Sequence, residues 1–104
     1  MAKLVRDKIP EIIEGNGEIP VVRIANNEEY GKKLKEKLVE EVQEYFESES
    51  FEELADILEV VHALCDYKDI PREKLESIRA EKAEKRGAFK NKIILIETKK
   101  QYAS

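Results

Sequence analysis

Apolar positions recur at intervals of three and four along most of the chain, and that period predicts a protein built mainly of helices. Leu34, Leu38, Val42, Tyr45 and Phe46 keep the spacing and mark one face of an amphipathic helix ending near Glu47. Asn26 or Asn27 can cap its start. Ser48-Glu49-Ser50 interrupts the pattern and supplies a fresh cap, so a second helix runs from about Phe51 to Tyr67. A connection this short folds the two helices back on each other as an antiparallel pair.

The flanking elements are shorter or more polar. A helical candidate around Asp7 to Glu14 is stopped by Gly15-Asn16-Gly17, and Pro10 suits only its first turn. Asp69-Ile70-Pro71 opens a third helix, whose apolar line is Leu75, Ile78 and Ala83 and whose stop is Gly87. Two segments leave the helical period. Ile19 to Ile24 and Ile93 to Ile96 are rich in β-branched residues, read as extended, and could pair as a small two-stranded β ribbon. Lys99 to Ser104 reads as a loose tail. The expected fold is mainly α, an antiparallel helical bundle with this ribbon, in a single domain over residues 1–104.

Composition adds limits. The 104 residues are 41% apolar with no Trp, which makes a thin core and favours burial against a second copy, a homodimer. Nineteen Lys and Arg against 23 Asp and Glu give a net charge of −4, so neither sign calls for a nucleic-acid partner. Cys65 is alone, which excludes an intramolecular disulfide, and its neighbours Leu58, Val61 and Leu64 make it a core residue. No apolar run reaches the length of a membrane span and the first residues lack a signal peptide's apolar centre. The expected location is the cytoplasm.

The candidate chemistry lies in two acidic pairs, Glu41-x-x-Glu44 and Glu53-x-x-Asp56, on the two neighbouring helices. Carboxylates three apart share a helix face. At about 100° per residue, Glu41 falls within the edge of the apolar arc and Glu44 just outside it, with Glu40 and Glu47 farther towards water. Glu53 lies among Ile57, Val60 and Leu64, with Asp56 on the flank. Glu52, Glu59 and Asp66 instead share a strip with Ala63 that has the character of an ordinary solvated face. An unpaired carboxylate on an apolar arc is costly, and a shared Mg²⁺ would compensate all four groups.

Plainer roles compete for the same residues. Among 19 Glu some E-x-x-E spacings arise by chance, Ser50-x-x-Glu53 also spells a capping box, and Lys37 can pair with Glu41. His62, the one histidine, faces away from Glu53 and suits packing or a pairing with Asp66.

Leu38-Val39-Glu40-Glu41-Val42-Gln43-Glu44, followed by Glu53-Leu54-Ala55-Asp56-Ile57-Leu58-Glu59-Val60, resembles the E-E-x-x-E…E-x-x-D signature of MazG-like nucleotide pyrophosphohydrolases. That superfamily includes the phosphoribosyl-ATP pyrophosphohydrolases and the dimeric dUTPases. The opening block from Lys3 to Ile13 and the block Lys85-Arg86-Gly87-Ala88-Phe89-Lys90 resemble a compact, single-domain branch of the phosphoribosyl-ATP pyrophosphohydrolase-like group. The likeness covers most of the chain, and the three blocks in order are more specific than the acidic signature alone.

The resemblance implies an all-α nucleoside triphosphate pyrophosphatase core and Mg²⁺-dependent cleavage of a nucleotide between its α- and β-phosphates, giving a nucleoside monophosphate and pyrophosphate. A housekeeping removal of unwanted nucleotides is the expected role. By position, Glu41, Glu44, Glu53 and Asp56 would hold the metal, and the adjacent Glu40 would assist as a base or outer-shell group. The segment from Ser48 to Phe51 is short for this signature, which bears on base preference more than on the metal. Arg6 and Lys8 in the first block, and Arg86 and Lys90 in the last, are the expected phosphate clamp, although Lys85 and Arg86 also suit a helix C-terminus. The alternatives are phosphoribosyl-ATP hydrolysis and a non-catalytic helical dimerisation or regulatory module.

Overall fold

The structure, a computed structural model, describes residues 2–101. These residues form four helices and no strand: α1 (Ile9–Gly15), α2 (Asn27–Ser48), α3 (Phe51–Tyr67) and α4 (Arg72–Arg86). The fold is mainly α, and the chain divides into two compact units, one ending at Arg72 and one beginning at Glu73.

The first unit is centred on α2 and α3. The Asn26 side chain caps α2 by accepting from the Glu29 N–H at 2.9 Å, and Arg23 grips the Glu29 carboxylate through two 2.6 Å bonds. The helix ends at Glu49, whose left-handed backbone (φ 52°) lets its N–H donate to the Tyr45 carbonyl at 2.7 Å. One residue later Ser50 starts α3, accepting from the Glu52 N–H at 3.2 Å. The reciprocal half of a capping box does not form. Glu53 has an oxygen, Oε2, with no hydrogen-bond partner among the described residues.

The two-residue link makes α2 and α3 antiparallel, so the start of α2 meets the end of α3. Tyr30 stands edge-on to Tyr67, ring centroids 5.7 Å apart and planes at 80°. Gly31 leaves room for that tyrosine, since a Cβ there would lie 2.6 Å from Tyr67 Cζ. Among the described residues, Leu34, Val60 and Cys65 are the buried apolar side chains. Cys65 is thus a core residue, as its neighbours in sequence imply.

Ahead of α1, the segment from Ala2 to Lys8 forms a strap on one face of this hairpin. Lys33 donates to the Ala2 carbonyl at 3.1 Å, Lys3 pairs with Glu40 at 3.3 Å, and Arg6 pairs with Asp56 at 2.6 Å. The opposite face is bare. Helical rotation brings Val39 and Phe46 of α2 to the same side as Phe51, Leu54 and Leu58 of α3, so Phe46 leaves the apolar face expected to hold it with Leu34; all five are exposed, Phe46 at 72% and Phe51 at 85%.

In the second unit α4 carries no buried residue and is braced by Arg79–Glu76 and Lys85–Glu81 ion pairs. Gly87 stops it in the left-handed conformation (φ 83°), its N–H donating to the Ala83 carbonyl at 2.8 Å. The β ribbon that the two extended segments could have made is absent among the described residues. Residues 19–24 and 93–96 contain no strand, and Val21, Ile24 and Ile96 are exposed. A lone two-stranded ribbon with no face to bury is marginal in water, so β-branched composition alone does not sustain one. Of the expected tail, Lys99 to Gln101 are irregular and exposed, and residues 102–104 lie outside the described residues. No helix among the described residues is long and apolar enough to cross a membrane.

Candidate metal centre

Glu41 is the one charged side chain that α2 buries, with 7% of the residue exposed. Its position on the inner arc of α2 turns it towards α3. There Lys37, one turn earlier, reaches one carboxylate oxygen at 3.3 Å. The other oxygen, Oε2, has no partner among the described residues. A buried acceptor left without a donor costs about 1–3 kcal/mol, and more when charged.

Glu53 and Asp56 of α3 converge on the same point. Glu41, Glu53 and Asp56 each offer a carboxylate oxygen, and these oxygens lie within 4.8 Å of one another; so do those of Glu40, Glu41 and Glu44. Three of the four expected ligands, Glu41, Glu53 and Asp56, thus form one triplet, while Glu44 groups with Glu40 and Glu41 in the other.

The electrostatics follow from this crowding. Burial raises the Glu41 carboxyl above its ordinary value, and the nearby charges of Glu44 and Asp56 push the same way against Lys37. Loss of solvation also raises Glu53, reinforced by Glu44, Asp56 and Glu41. Glu40 goes the other way. Burial works to raise it, but bonds to Lys37 at 3.2 Å and Lys3 at 3.3 Å outweigh that and hold it below the ordinary carboxylate range. Partial burial works against the charge on Lys37, yet its bonds to Glu40 and Glu41 raise it.

This donor set fits Mg²⁺. It consists of hard carboxylate oxygens only, and two of them, Glu41 Oε2 and Glu53 Oε2, are buried and have no hydrogen-bond partner among the described residues. Three such oxygens within 4.8 Å of one another are close enough for side-chain rotation to bring them onto one ion.

Two clefts meet at these acids. The larger, of about 460 Å³, lies between the strap and the α2–α3 hairpin, and Arg6, Glu41 and Asp56 line it. The smaller, of about 330 Å³, is lined by Lys3, Glu40 and Glu44 together with the same Arg6, Glu41 and Asp56.

The other expected site residues divide. Arg6 is brought onto Asp56, and Lys8 lines the larger cleft. Arg86, in the last turn of α4, and Lys90 beyond it belong to the second unit, where both are exposed. His62 is half-buried, and Asp66 accepts from Arg72 at 3.2 Å rather than serving His62.

Two sets of residues enter the site without having been singled out for it. Lys3 adds positive charge to the acids beside Lys37, whose pairing with Glu41 its spacing predicts. Glu59, Ala63 and Asp66, a strip with the character of a solvated face, line the larger cleft. Helical period alone cannot show this, because the strap that walls the cleft comes from residues more than fifty positions away. Ala63 was the available signal: a small residue between two acids on a helix face leaves room.

Comparison with known proteins places few constraints on this site. No protein-family model matches the chain, and no solved structure matches it. An uncharacterized protein of Mycolicibacterium smegmatis is 52% identical over 44 residues, which is 42% of this chain and 45% of that protein. The chain thus matches less than half the length of this relative.

Proposed function

We propose that the protein is a cytoplasmic Mg²⁺-dependent nucleoside triphosphate pyrophosphohydrolase that cleaves between the α- and β-phosphates. The observation that carries this reading is Glu41 Oε2, a buried, unpartnered carboxylate oxygen inside a cluster of like charges. Like charges crowded in this way repel, and a shared cation reverses the sign of the interaction.

Glu41, Glu44, Glu53 and Asp56 would hold the ion. Bound there, Mg²⁺ supplies charge neutralisation for the phosphates and activation of water. The chain's own residues do the rest. Lys37 neutralises Glu41 and keeps it facing α3. Arg6 stands at the junction of the two clefts, where its planar guanidinium can take two phosphate oxygens at once. Lys3 and Lys8 add positive charge on either side of it. Glu40 serves as an outer-shell acceptor for Lys3 and Lys37, since a carboxyl held low is a poor base near neutral pH.

A homodimer completes the proposal. The bare apolar face of the α2–α3 hairpin lies opposite the acids, and a second copy laid on it would make a four-helix bundle without closing the clefts. The same face favours a second reading, a purely structural dimerisation module.

The discriminating experiment is pyrophosphate release from a panel of nucleoside triphosphates with Mg²⁺. Wild-type protein should release pyrophosphate, and chelation should stop it. Glu53→Gln and Asp56→Asn should each lower the rate at least about 100-fold, with helix content unchanged. No release from any nucleotide, with no change in stability on chelation, would leave the module reading.

A further inference from the structure

The larger cleft has two chemically different ends. Along α3, Asp56, Glu59, Ala63 and Asp66 recur at three- and four-residue steps and line one wall. Along α2, Glu41, Lys37, Leu34 and Tyr30 line the facing wall in the reverse order. The antiparallel packing sets Glu41 across from Asp56 at one end. At the other, Tyr30 comes beside Ala63 and Asp66, as its contact with Tyr67 requires.

The apolar end suits a flat ring. Tyr30 offers an aromatic surface, held edge-on by Tyr67, and Leu34 and Val60 lie between the two ends. Ala63 has no side chain beyond Cβ to fill the space. From Asp56 to Ala63 is seven residues, or about 10 Å along the helix axis, roughly the reach of a nucleoside. A cleft of about 460 Å³ is also within the 300–1,000 Å³ typical of small-molecule sites.

The acids at this end, Glu59 and Asp66, accept hydrogen bonds and do not donate them. Asp66 is engaged by Arg72 at 3.2 Å, whereas Glu59, exposed on the same cleft wall, is open to a donor from an incoming ring. A base carrying an exocyclic amino group can donate to it. A base presenting a carbonyl at that position meets it acceptor to acceptor and gains no such bond.

We propose that Tyr30, Glu59 and Ala63 form the base subsite of the cleft and select nucleotides whose base bears an exocyclic amino group. This rests on the pyrophosphohydrolase reading, because the acid end is taken to hold the metal and phosphates.

The test is a binding titration by calorimetry, with Mn²⁺ present, of three probes: the non-hydrolysable α,β-imido analogues of dCTP and dUTP, and imidodiphosphate as a base-free control. Wild-type protein should bind the cytosine analogue at least tenfold more tightly than the uracil analogue. Glu59→Gln, whose amide can also donate, should bring the two within about twofold. Ala63→Leu should weaken both nucleotides at least tenfold and leave imidodiphosphate unchanged. The subsite is overturned if Ala63→Leu leaves nucleotide affinity intact, if it weakens imidodiphosphate equally, or if Glu59→Gln preserves the preference. If no probe binds, the metal and phosphate assignment fails and takes the subsite with it. Tight nucleotide binding indifferent to both variants removes the subsite alone.

Discussion

Arg6 donates to Asp56 at 2.6 Å, tying the segment ahead of α1 to the second turn of α3. The bond places a guanidinium on one of the carboxylates best situated to hold a metal. Both side chains are substantially exposed, and a pair of that kind contributes under about 1 kcal/mol. It is cheap to break.

Removing the guanidinium should therefore make Asp56 more available. Arg6→Ala is expected to change metal-free stability by less than about 1 kcal/mol. It should tighten Mn²⁺ binding several-fold in an electron paramagnetic resonance titration and weaken nucleotide binding. Mn²⁺ affinity that falls on this substitution would show that Arg6 supports the metal site and does not compete with it.

Magnesium should stabilise the fold. A ligand at 100 times its dissociation constant adds about 2.7 kcal/mol if it binds the folded state alone. Thermal unfolding should shift upwards with Mg²⁺ and return on chelation. Glu41→Gln should abolish the shift, and a shift that survives in this variant would place the ion elsewhere.

The raised carboxyls of Glu41 and Glu53 give a definite pH dependence. A carboxyl whose folded pKa lies above its unfolded value binds a proton more readily in the folded chain. Its stabilising effect is complete below the unfolded value, 4.5, and is lost as pH rises through the raised folded value. Without metal, Glu41→Gln and Glu53→Gln should each be more stable than wild type at pH 8, and the advantage should vanish near pH 4. Urea unfolding across that range in the presence of a chelator measures it; an advantage that grows towards acid contradicts the assignment.

Gly31 should not tolerate a methyl group. Alanine is about 1 kcal/mol better than glycine inside a helix, but here its Cβ would press on the Tyr67 ring, and forced overlap costs about 1–3 kcal/mol. Gly31→Ala is expected to lower the urea midpoint. In a Tyr67→Ala background the same change should raise it. An increase in the wild-type background would mean that the tyrosine moves aside freely.

The bare face makes a prediction about assembly. Sedimentation equilibrium should give twice the chain mass, and Leu54→Glu with Leu58→Glu should give a monomer. A wild-type monomer at high concentration would remove the dimer from the proposal.

Much of the backbone was legible in the chain. Alternation at three and four residues placed α2 and α3, the Asn26-Asn27 pair and Ser50 marked their starts, and Gly87 marked the end of α4, because caps and apolar period are local physics. The lean of Glu41 and Glu53 into apolar arcs was visible for the same reason. The capping box at Ser50 was not so readable, since whether Glu53 turns back to its own helix start or inward to Glu41 depends on what the neighbouring helix presents. The ribbon shows the converse: β-branched residues describe a preference, and a strand also needs a partner and a face to bury.

What the sequence alone determined is the set of helices and the acids each one turns inward. Tertiary structure decided which charges meet: Arg6 with Asp56, Lys3 with Glu40, and Glu41 with Glu53. It also decided that Glu59, Ala63 and Asp66, whose two acids stay exposed as their strip implies, border a cleft. Periodicity specifies the faces of one helix, whereas a site is made where faces from distant segments converge, and that convergence is set by how the strap and the hairpin pack.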